Sequence, residues 1–350
     1  MAALGYDKIT VDAWGNVLGE RRGSRPGPTL MLEAHMDVVP APEPESWQHP
    51  PFAADSDGTR LWGRGAADTK GSLAAIVQAA GKMRAEEIRG RVLVLASVCE
   101  ETLTGAAVGQ VLDREAVDCF ITGEPTSLRP GIAQKGRYSI QLEAHGHSAH
   151  TSRPELGDNA IYKMIRAVEL LRALPRPEDP ELGRGLLELT EMVSEPLPGT
   201  TCVPHGCRAR MIGRTLPEEP LPQVLETLRA ALAALEGLSL EPAVLEQQTW
   251  TGERLKMADL LPGWRTPAGD EWSERLLAGI AAAGIEAQRW AAPCGTNASA
   301  AAARGIPAFI FGPGSLEQAH TVDEWVDVTE LVKAEEAFRK ITIYILAIHR

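Results

Sequence analysis

Arg91-Val92-Leu93-Val94-Leu95-Ala96-Ser97, followed by Val98-Cys99-Glu100-Glu101-Thr102, decides how this chain is read. A short unbroken apolar run of this kind is a buried strand, and here it ends on two adjacent carboxylates. Neighbouring carboxylates repel unless a cation or a proton lies between them. In a strand-end loop they point in different directions, so one can bind a cation while the other faces a reacting water. Two solvated glutamates would fit the same letters. Four other stretches repeat the theme: Glu33-Ala34-His35-Met36-Asp37, Gly63-Arg64-Gly65-Ala66-Ala67-Asp68-Thr69-Lys70-Gly71, Gly123-Glu124-Pro125 and Gln318-Ala319-His320. Four of the five stretches close or directly follow a β-like run, so their polar ends gather along one sheet edge. Mixed oxygen and nitrogen ligands with one glutamate left over are what a two-metal hydrolase needs.

Working outward, Thr29-Leu30-Met31-Leu32 and Cys119-Phe120-Ile121-Thr122 are two more buried strands. Between them, residues 72–84 carry Leu73, Ile76, Val77 and Ala80 at helical spacing, with Ser72 as the expected N-cap. Strand, helix, strand predicts an α/β sheet with helices on its faces. Near Lys135 the pattern changes. Tyr138, Ile140, Leu142 and Ala144 alternate with polar residues, as in a sheet with one wet face. A helix over 159–174, a Pro-rich link, a strand near 207–212 and a helix over 221–235 complete a small α+β unit. After Trp250 the first pattern resumes, with helices over 271–283 and 328–348 around a strand at 307–311. The expected division is a catalytic domain in two parts, 1–136 and 249–350, interrupted by an inserted domain at 137–248.

The 350 residues are 44% hydrophobic and 23% charged, ordinary for a globular protein with a substantial core. A net charge of −12 argues against a nucleic-acid partner, which would need clustered lysine and arginine. No apolar stretch reaches the length of a membrane span, and the first residues show no signal-peptide pattern. Five irregularly spaced cysteines, with no Cys-x-x-Cys pair, suit neither a disulfide framework nor a thiolate zinc site. The cytoplasm is the expected compartment.

Taken singly, the polar motifs are ambiguous. His35-x-Asp37 also describes a surface turn, and Asp68 before a helix also describes an N-cap. Together, Ala-His-x-Asp, Gly-Arg-Gly-x-x-Asp-x-Lys-Gly, Glu-Glu, Gly-Glu-Pro and the late histidine resemble the M20 family of metallopeptidases and amidohydrolases over nearly the whole chain. The resemblance implies a zinc-peptidase-like α/β fold, a mixed sheet flanked by helices with an inserted α+β lid and dimerisation domain. It also implies two zinc ions, with cobalt or manganese as alternatives. His35 and Glu124 would hold one ion and Glu101 and His320 the other, with Asp68 between them. Glu100 would be the general base and Asp37 the residue that orients His35.

In the inserted domain, His145-Gly146-His147-Ser148-Ala149-His150 has no carboxylate or cysteine spaced to complete a metal site of its own. By resemblance His150 is a donor to the developing oxyanion, supplied across a homodimer, whereas His145 and His147 are structural or exposed. Arg214 falls where the family carries an arginine that grips a substrate carboxylate, a role suited to its forked donors. Ile212 stands in place of that strand's usual aspartate. Gly295-Thr296-Asn297 occupies the family's Gly-Thr-Asp loop, with Asn for Asp, and is expected to bind substrate. Thr201 stands where some relatives have an asparagine. Relatives also carry a helix before the Asp12-Ala13-Trp14-Gly15-Asn16 stretch, and lacking it is expected to expose part of one sheet face. The expected activity is hydrolysis of the amide of an N-acyl amino acid. A dipeptidase or carboxypeptidase and a non-catalytic metal- or ligand-binding relative are the alternatives.

Overall fold

The structure is a computed structural model that describes residues 1–42 and 44–347. In chain order, β1 (Lys8–Val11), β2 (Val17–Arg22) and β3 (Arg25–His35) lead to α1 (Gly71–Lys82) and β4 (Arg89–Ser97). Two short helices, α2 (Glu100–Leu103) and α3 (Ala106–Leu112), precede β5 (Cys119–Thr122) and β6 (Gly131–Gln134). A second group follows: β7 (Gly136–His145), α4 (Ala160–Ala173), β8 (Leu186–Glu195), β9 (Gly206–Thr215), α5 (Leu221–Leu232) and β10 (Leu238–Pro242). The chain then returns through β11 (Leu260–Leu261), β12 (Trp264–Arg265), α6 (Glu271–Ala282), β13 (Trp290–Ala292), α7 (Ala298–Ala302), β14 (Ala308–Ile310) and α8 (Val328–Leu346).

The main sheet runs β1-β2-β4-β3-β5-β14-β6-β12, with β13 added on β6. Strand β3 is parallel to both β4 and β5, and β14 is parallel to β5. Parallel neighbours need crossovers and are covered on both faces, which is why these strands read as nearly continuous apolar runs. Leu30, Leu32, Val92, Val94 and Ile121 pack beneath α1, α6 and α8, whereas Met31, Leu93, Leu95 and Phe120 pack on the side of α3 and α7. The α/β architecture is as expected. The register sets His35 opposite Ser97, and Glu33 opposite Leu95 and Thr122.

The second sheet is β8-β9-β7-β10, with β11 also on β7. Tyr138, Ile140, Leu142 and Ala144 face a core shared with α4 and α5. Gly213 lies under Tyr138, where a Cβ would stand 2.1 Å from the ring. Strands of this sheet extend to Leu261, and a hairpin of Val244–Gln248 and Arg254–Ala258 leads back toward the main sheet.

Several local expectations change. Strands β8 and β10 were not expected, so the inserted order is not simply β, α, β, α. Strand β8 ends its sheet with one edge unpaired, and its exposed Glu188 and Glu191 break up the apolar pattern. Ser72 is not the N-cap of α1: it lies inside the helix, buried, with no partner for its hydroxyl among the described residues. The chain enters α1 through a tight turn at 66–70, whose Ala67 and Asp68 amides donate to Glu324 of another loop. Leu30, Leu32, Val92 and Val94 are fully buried on the side of α1, α6 and α8. Met1, Leu4 and Tyr6 pack into that core, and Tyr6 donates to the Val77 carbonyl at 3.0 Å. Helix α8 is described as far as Leu346, and the expected extension to Ile348 lies outside the described residues. Among the described residues, no helix is long and apolar enough to cross a membrane.

Phe338 is fully buried on α8 and meets Phe311 edge to face, with ring centroids 5.3 Å apart. Phe338→Ala is expected to lower unfolding free energy by about 3–5 kcal/mol in urea titrations, from lost transfer energy and the cavity left behind.

Candidate metal and catalytic site

Because β4, β3, β5 and β14 run parallel, their C-terminal ends share one edge. His35 is the last residue of β3, Glu124 follows β5 by two residues, and Glu100 opens α2 after β4. The turn into α2 is made at Cys99, whose φ of 62° is left-handed. Asp68 comes from the turn before α1 and His320 from the loop after β14.

These side chains converge. Nε2 of His35 is 3.0 Å from Asp68 Oδ1, and Nε2 of His320 is 3.3 Å from Asp68 Oδ2. His320 also lies 3.1 Å from Glu101 Oε2. One carboxylate therefore faces a histidine with each oxygen. Ligand atoms of His35, Asp68 and Glu101 all lie within 4.8 Å of one another. Glu124 points an enclosed Oε1 that has no hydrogen-bond partner among the described residues. Glu100 Oε2 is 4.0 Å from His35 Nε2, and its carboxylate makes no hydrogen bond among the described residues. Nδ1 of His35 lies 2.9 Å from the Asp37 backbone carbonyl and donates to it, leaving Nε2 for a ligand.

The electrostatics are those of a cation site. Burial pushes the Glu100 carboxyl up to about 8, helped by the charges of Glu101 and Asp68 and opposed by His35. Burial, and then Asp68 and Glu100, raises Glu124 well above the usual carboxylate range. Burial works against Asp68 too, but hydrogen bonds from His320 and His35 hold its carboxyl below that range. Burial opposes protonation of His35, yet the Asp68 bond and the nearby carboxylates raise its pKa well above the usual value. Hydrogen bonds to Asp68 and Glu101 raise His320 to about 10. Imidazole nitrogens and carboxylate oxygens are a donor set that suits zinc and similar divalent cations, and the enclosed Glu124 oxygen adds a further ligand. These residues fit a bound metal.

Asp37 meets His35 through its backbone carbonyl rather than through its carboxylate. Its side-chain oxygens lie no closer than 3.8 Å to His35 and instead accept the amides of Glu100 and Glu101 at 3.2 and 3.0 Å. It orients His35 through its carbonyl and the two glutamates through its carboxylate.

Two buried acids that the motifs do not single out hold the site together. Glu324 is fully buried and accepts from Arg64 at 2.6 Å and from the amides of Gly65, Ala67 and Asp68 at 3.1, 3.0 and 3.0 Å. It ties the His320 loop to the Asp68 turn. Glu33, also fully buried, accepts from Ser97, Thr122 and Asn297 at 2.5, 2.6 and 2.9 Å. A charge inside the run Leu30-Met31-Leu32-Glu33-Ala34 is the sequence signal for the second, and its spacing from His320 is the only signal for the first.

The expected substrate residues are placed less uniformly. Arg214, on β9, is half-buried, with no hydrogen bond or ion pair from its guanidinium among the described residues. Burial and the charge of Arg137 lower its pKa. Thr296 and Asn297 turn their side chains inward: Thr296 donates to Gln134 at 2.7 Å, and Asn297 bridges Glu33 and the Gly105 amide. Gly295 is partly exposed beside them. Asn297 in place of Asp has a physical reason, since its amide donates to the Glu33 carboxylate. His150 is exposed in the second group of strands, and its hydrogen bonds stay within its own loop. The Ser152 amide donates to its Nδ1 at 3.2 Å, so the neutral ring carries its proton on Nε2.

The profile of "Peptidase family M20/M25/M40" matches residues 31–343. Acetylornithine deacetylase of Pectobacterium atrosepticum is 28% identical, over 93% of this chain and 81% of its own. Aminopeptidase PepT from Bacillus cereus superposes with a TM-score of 0.75 at 19% identity, covering 98% of this chain and 90% of that one. The Bacillus subtilis YxeP protein, described as a dinuclear metal-binding peptidase from the M20 family, superposes with a TM-score of 0.68 at 18% identity, covering 97% and 88%.

Glu324→Gln leaves the shape but not the charge opposite Arg64. The expected result is a loss of about 3 kcal/mol in urea unfolding, as when one partner of a buried pair is removed. Calorimetric zinc titration should also show affinity falling by about tenfold or more, since Asp68 is held through its neighbours.

Proposed function

We propose, from the premise that the chain belongs to peptidase family M20/M25/M40 and is a metal-dependent hydrolase, that it cleaves the amide bond of an N-acyl amino acid at a two-zinc centre. The observation that carries this reading is Asp68 presenting one oxygen to each of two histidines, with Glu100 beside them and not hydrogen-bonded to either. The similarity to an acetylornithine deacetylase over most of both chains favours an N-acyl substrate.

His35 and Glu124 would hold one ion, Glu101 and His320 the other, and Asp68 both. The bound ions would make a water nucleophilic near neutral pH and polarise the amide carbonyl. Glu100 takes a proton from the attacking water and returns it to the leaving amine. Asp37 fixes that base from behind, through the amides at the start of α2. Arg214, a half-buried cation without a counter-ion, is our candidate for gripping the substrate carboxylate. Gly295 would contribute to the same end of the cleft through its backbone, while Thr296 and Asn297 support it from within.

We read residues 137–248 as the inserted domain and the remainder as the catalytic domain. With its proton on Nε2, His150 can donate to a developing oxyanion, and its exposed position suits delivery from a second copy in a homodimer. Free cysteines at 99, 119, 202, 207 and 294 suit a reducing compartment, and we assign the cytoplasm. A dipeptidase or carboxypeptidase reading uses the same residues, and the unpaired Arg214 serves a free carboxylate in either.

Glu100→Gln is expected to lower kcat by at least about 100-fold, with zinc content by elemental analysis unchanged. Chelation should abolish turnover, and added zinc or cobalt should restore it. A wild type that holds zinc but hydrolyses no member of an N-acetyl, N-succinyl and dipeptide panel would sink the proposal. His150→Asn should lower kcat by about tenfold or more with little change in KM. A monomer by sedimentation with full activity would remove the cross-subunit role.

A further inference from the structure

A cavity of about 630 Å³ adjoins the metal cluster and has no part in the chemistry described above. Asp37 and Glu101 line it, so it shares a wall with the ligands. Its walls are mainly apolar, with Met36 and Val98 at the two strand ends, Val38, Val39 and Pro40 on the loop after His35, and Trp250 from the hairpin beyond, while Thr102, Gln247, Gln248 and Thr249 add neutral polar groups. Binding sites for small molecules are of this size and character, apolar walls with a few placed polar groups.

Trp250 is the telling residue. It is 69% exposed, yet it is held in place rather than left to swing. Its Nε1 donates to the Gly15 carbonyl at 3.1 Å, and the next residue, Thr251, donates to Ala13 at 2.6 Å. Gly15 has φ of +93°, and a Cβ there would stand 2.1 Å from the indole nitrogen, so the loop at 12–16 makes room for this ring. An exposed aromatic face fixed at the rim of an apolar cavity presents a surface to something that enters.

The charges lining the cavity narrow what that is. Among the described residues, no lysine or arginine lines it. The carboxylates that do are already committed, Asp37 to two backbone amides and Glu101 to His320. Its described lining offers an anionic acyl chain such as succinyl no lysine or arginine to pair with. An acetyl group would leave most of the space unfilled.

We propose that this cavity is the specificity pocket of the hydrolase and takes an apolar group, aromatic or branched aliphatic, carried on one side of the scissile amide. The inference rests on the amide-hydrolase reading above. It adds that the substrate is larger and more apolar than an N-acetyl or N-succinyl amino acid.

The zinc-loaded protein is assayed on one amino acid bearing acetyl, succinyl, isovaleryl or phenylacetyl groups, and on dipeptides with phenylalanine on either side of the bond. Phenylacetyl or isovaleryl substrates are expected to exceed the acetyl one in kcat/KM by about tenfold or more, the size of effect a filled apolar pocket gives. If the apolar group belongs on the amine side, the dipeptides show the same gain at one position and the acyl series does not. Trp250→Ala, and separately Val39→Trp to fill the space, should each bring the apolar-to-acetyl ratio toward one. A flat series, a preference for succinyl, or an equal loss on all substrates in both variants overturns the pocket. If nothing is hydrolysed, equilibrium binding to the zinc-loaded protein decides separately. Tighter binding of phenylacetyl than acetyl by about tenfold keeps the pocket while the hydrolase reading falls, and equal binding removes both.

Discussion

Buried negative charge is the constraint around which this molecule is arranged. Glu33, Asp68, Glu100, Glu124 and Glu324 lie at or under one sheet edge, where an uncompensated carboxylate is costly. Each is answered differently. Glu33 has three side-chain donors, Glu324 has an arginine and three amides, and Asp68 has two histidines. Glu100 and Glu124 have no such answer, and their carboxyls are pushed upward by burial. The supporting acids are satisfied by the protein, whereas those facing the cleft are left for a cation or a proton.

That division explains how the site stays in shape while its parts come from distant segments. The parallel strands bring His35, Glu100 and Glu124 together through backbone register alone. Asp68 and His320 sit on loops, which register does not control. Glu324 and the neighbouring Asp323, whose carboxylate accepts the amides of Gln48 and His49, stitch those loops to each other and to the segment after β3. The precision of a loop-borne site thus comes from acids that touch the ligand-bearing loops from behind.

Strands β3, β4 and β5 and helix α1 were legible because each is a long apolar run or a clear helical period, as in Arg91 to Ser97 or Ile76 to Ala80, whereas the short α2 that carries Glu100 was expected as a loop. The metal-type residues were legible because they end those runs. What sequence could not show was direction. The Asp37 carboxylate was expected on His35 and holds the amides of Glu100 and Glu101 instead, leaving the ring to the Asp37 carbonyl. Asn297 was expected at the substrate and lies inside, because its partner Glu33 comes from another strand. Ser72 was expected to cap a helix and lies inside it, because the turn leading in is held by Glu324, which accepts the amides of Ala67 and Asp68. In each case the deciding contact joins segments far apart in the chain, and local pattern carries no record of it. Strand β8 escaped for the opposite reason: at the edge of a sheet it has too little burial to show a clean alternation.

The bond between Asn297 and Glu33 also bears on how such a chain can change over generations. These positions are 264 residues apart, yet neither is free to vary alone. An aspartate at 297 would set a second carboxylate against Glu33, a pair that is tolerated only when one of the two holds a proton or position 33 is neutral. A change at either position therefore alters what the other can be, and the two sites should travel through evolution as a pair.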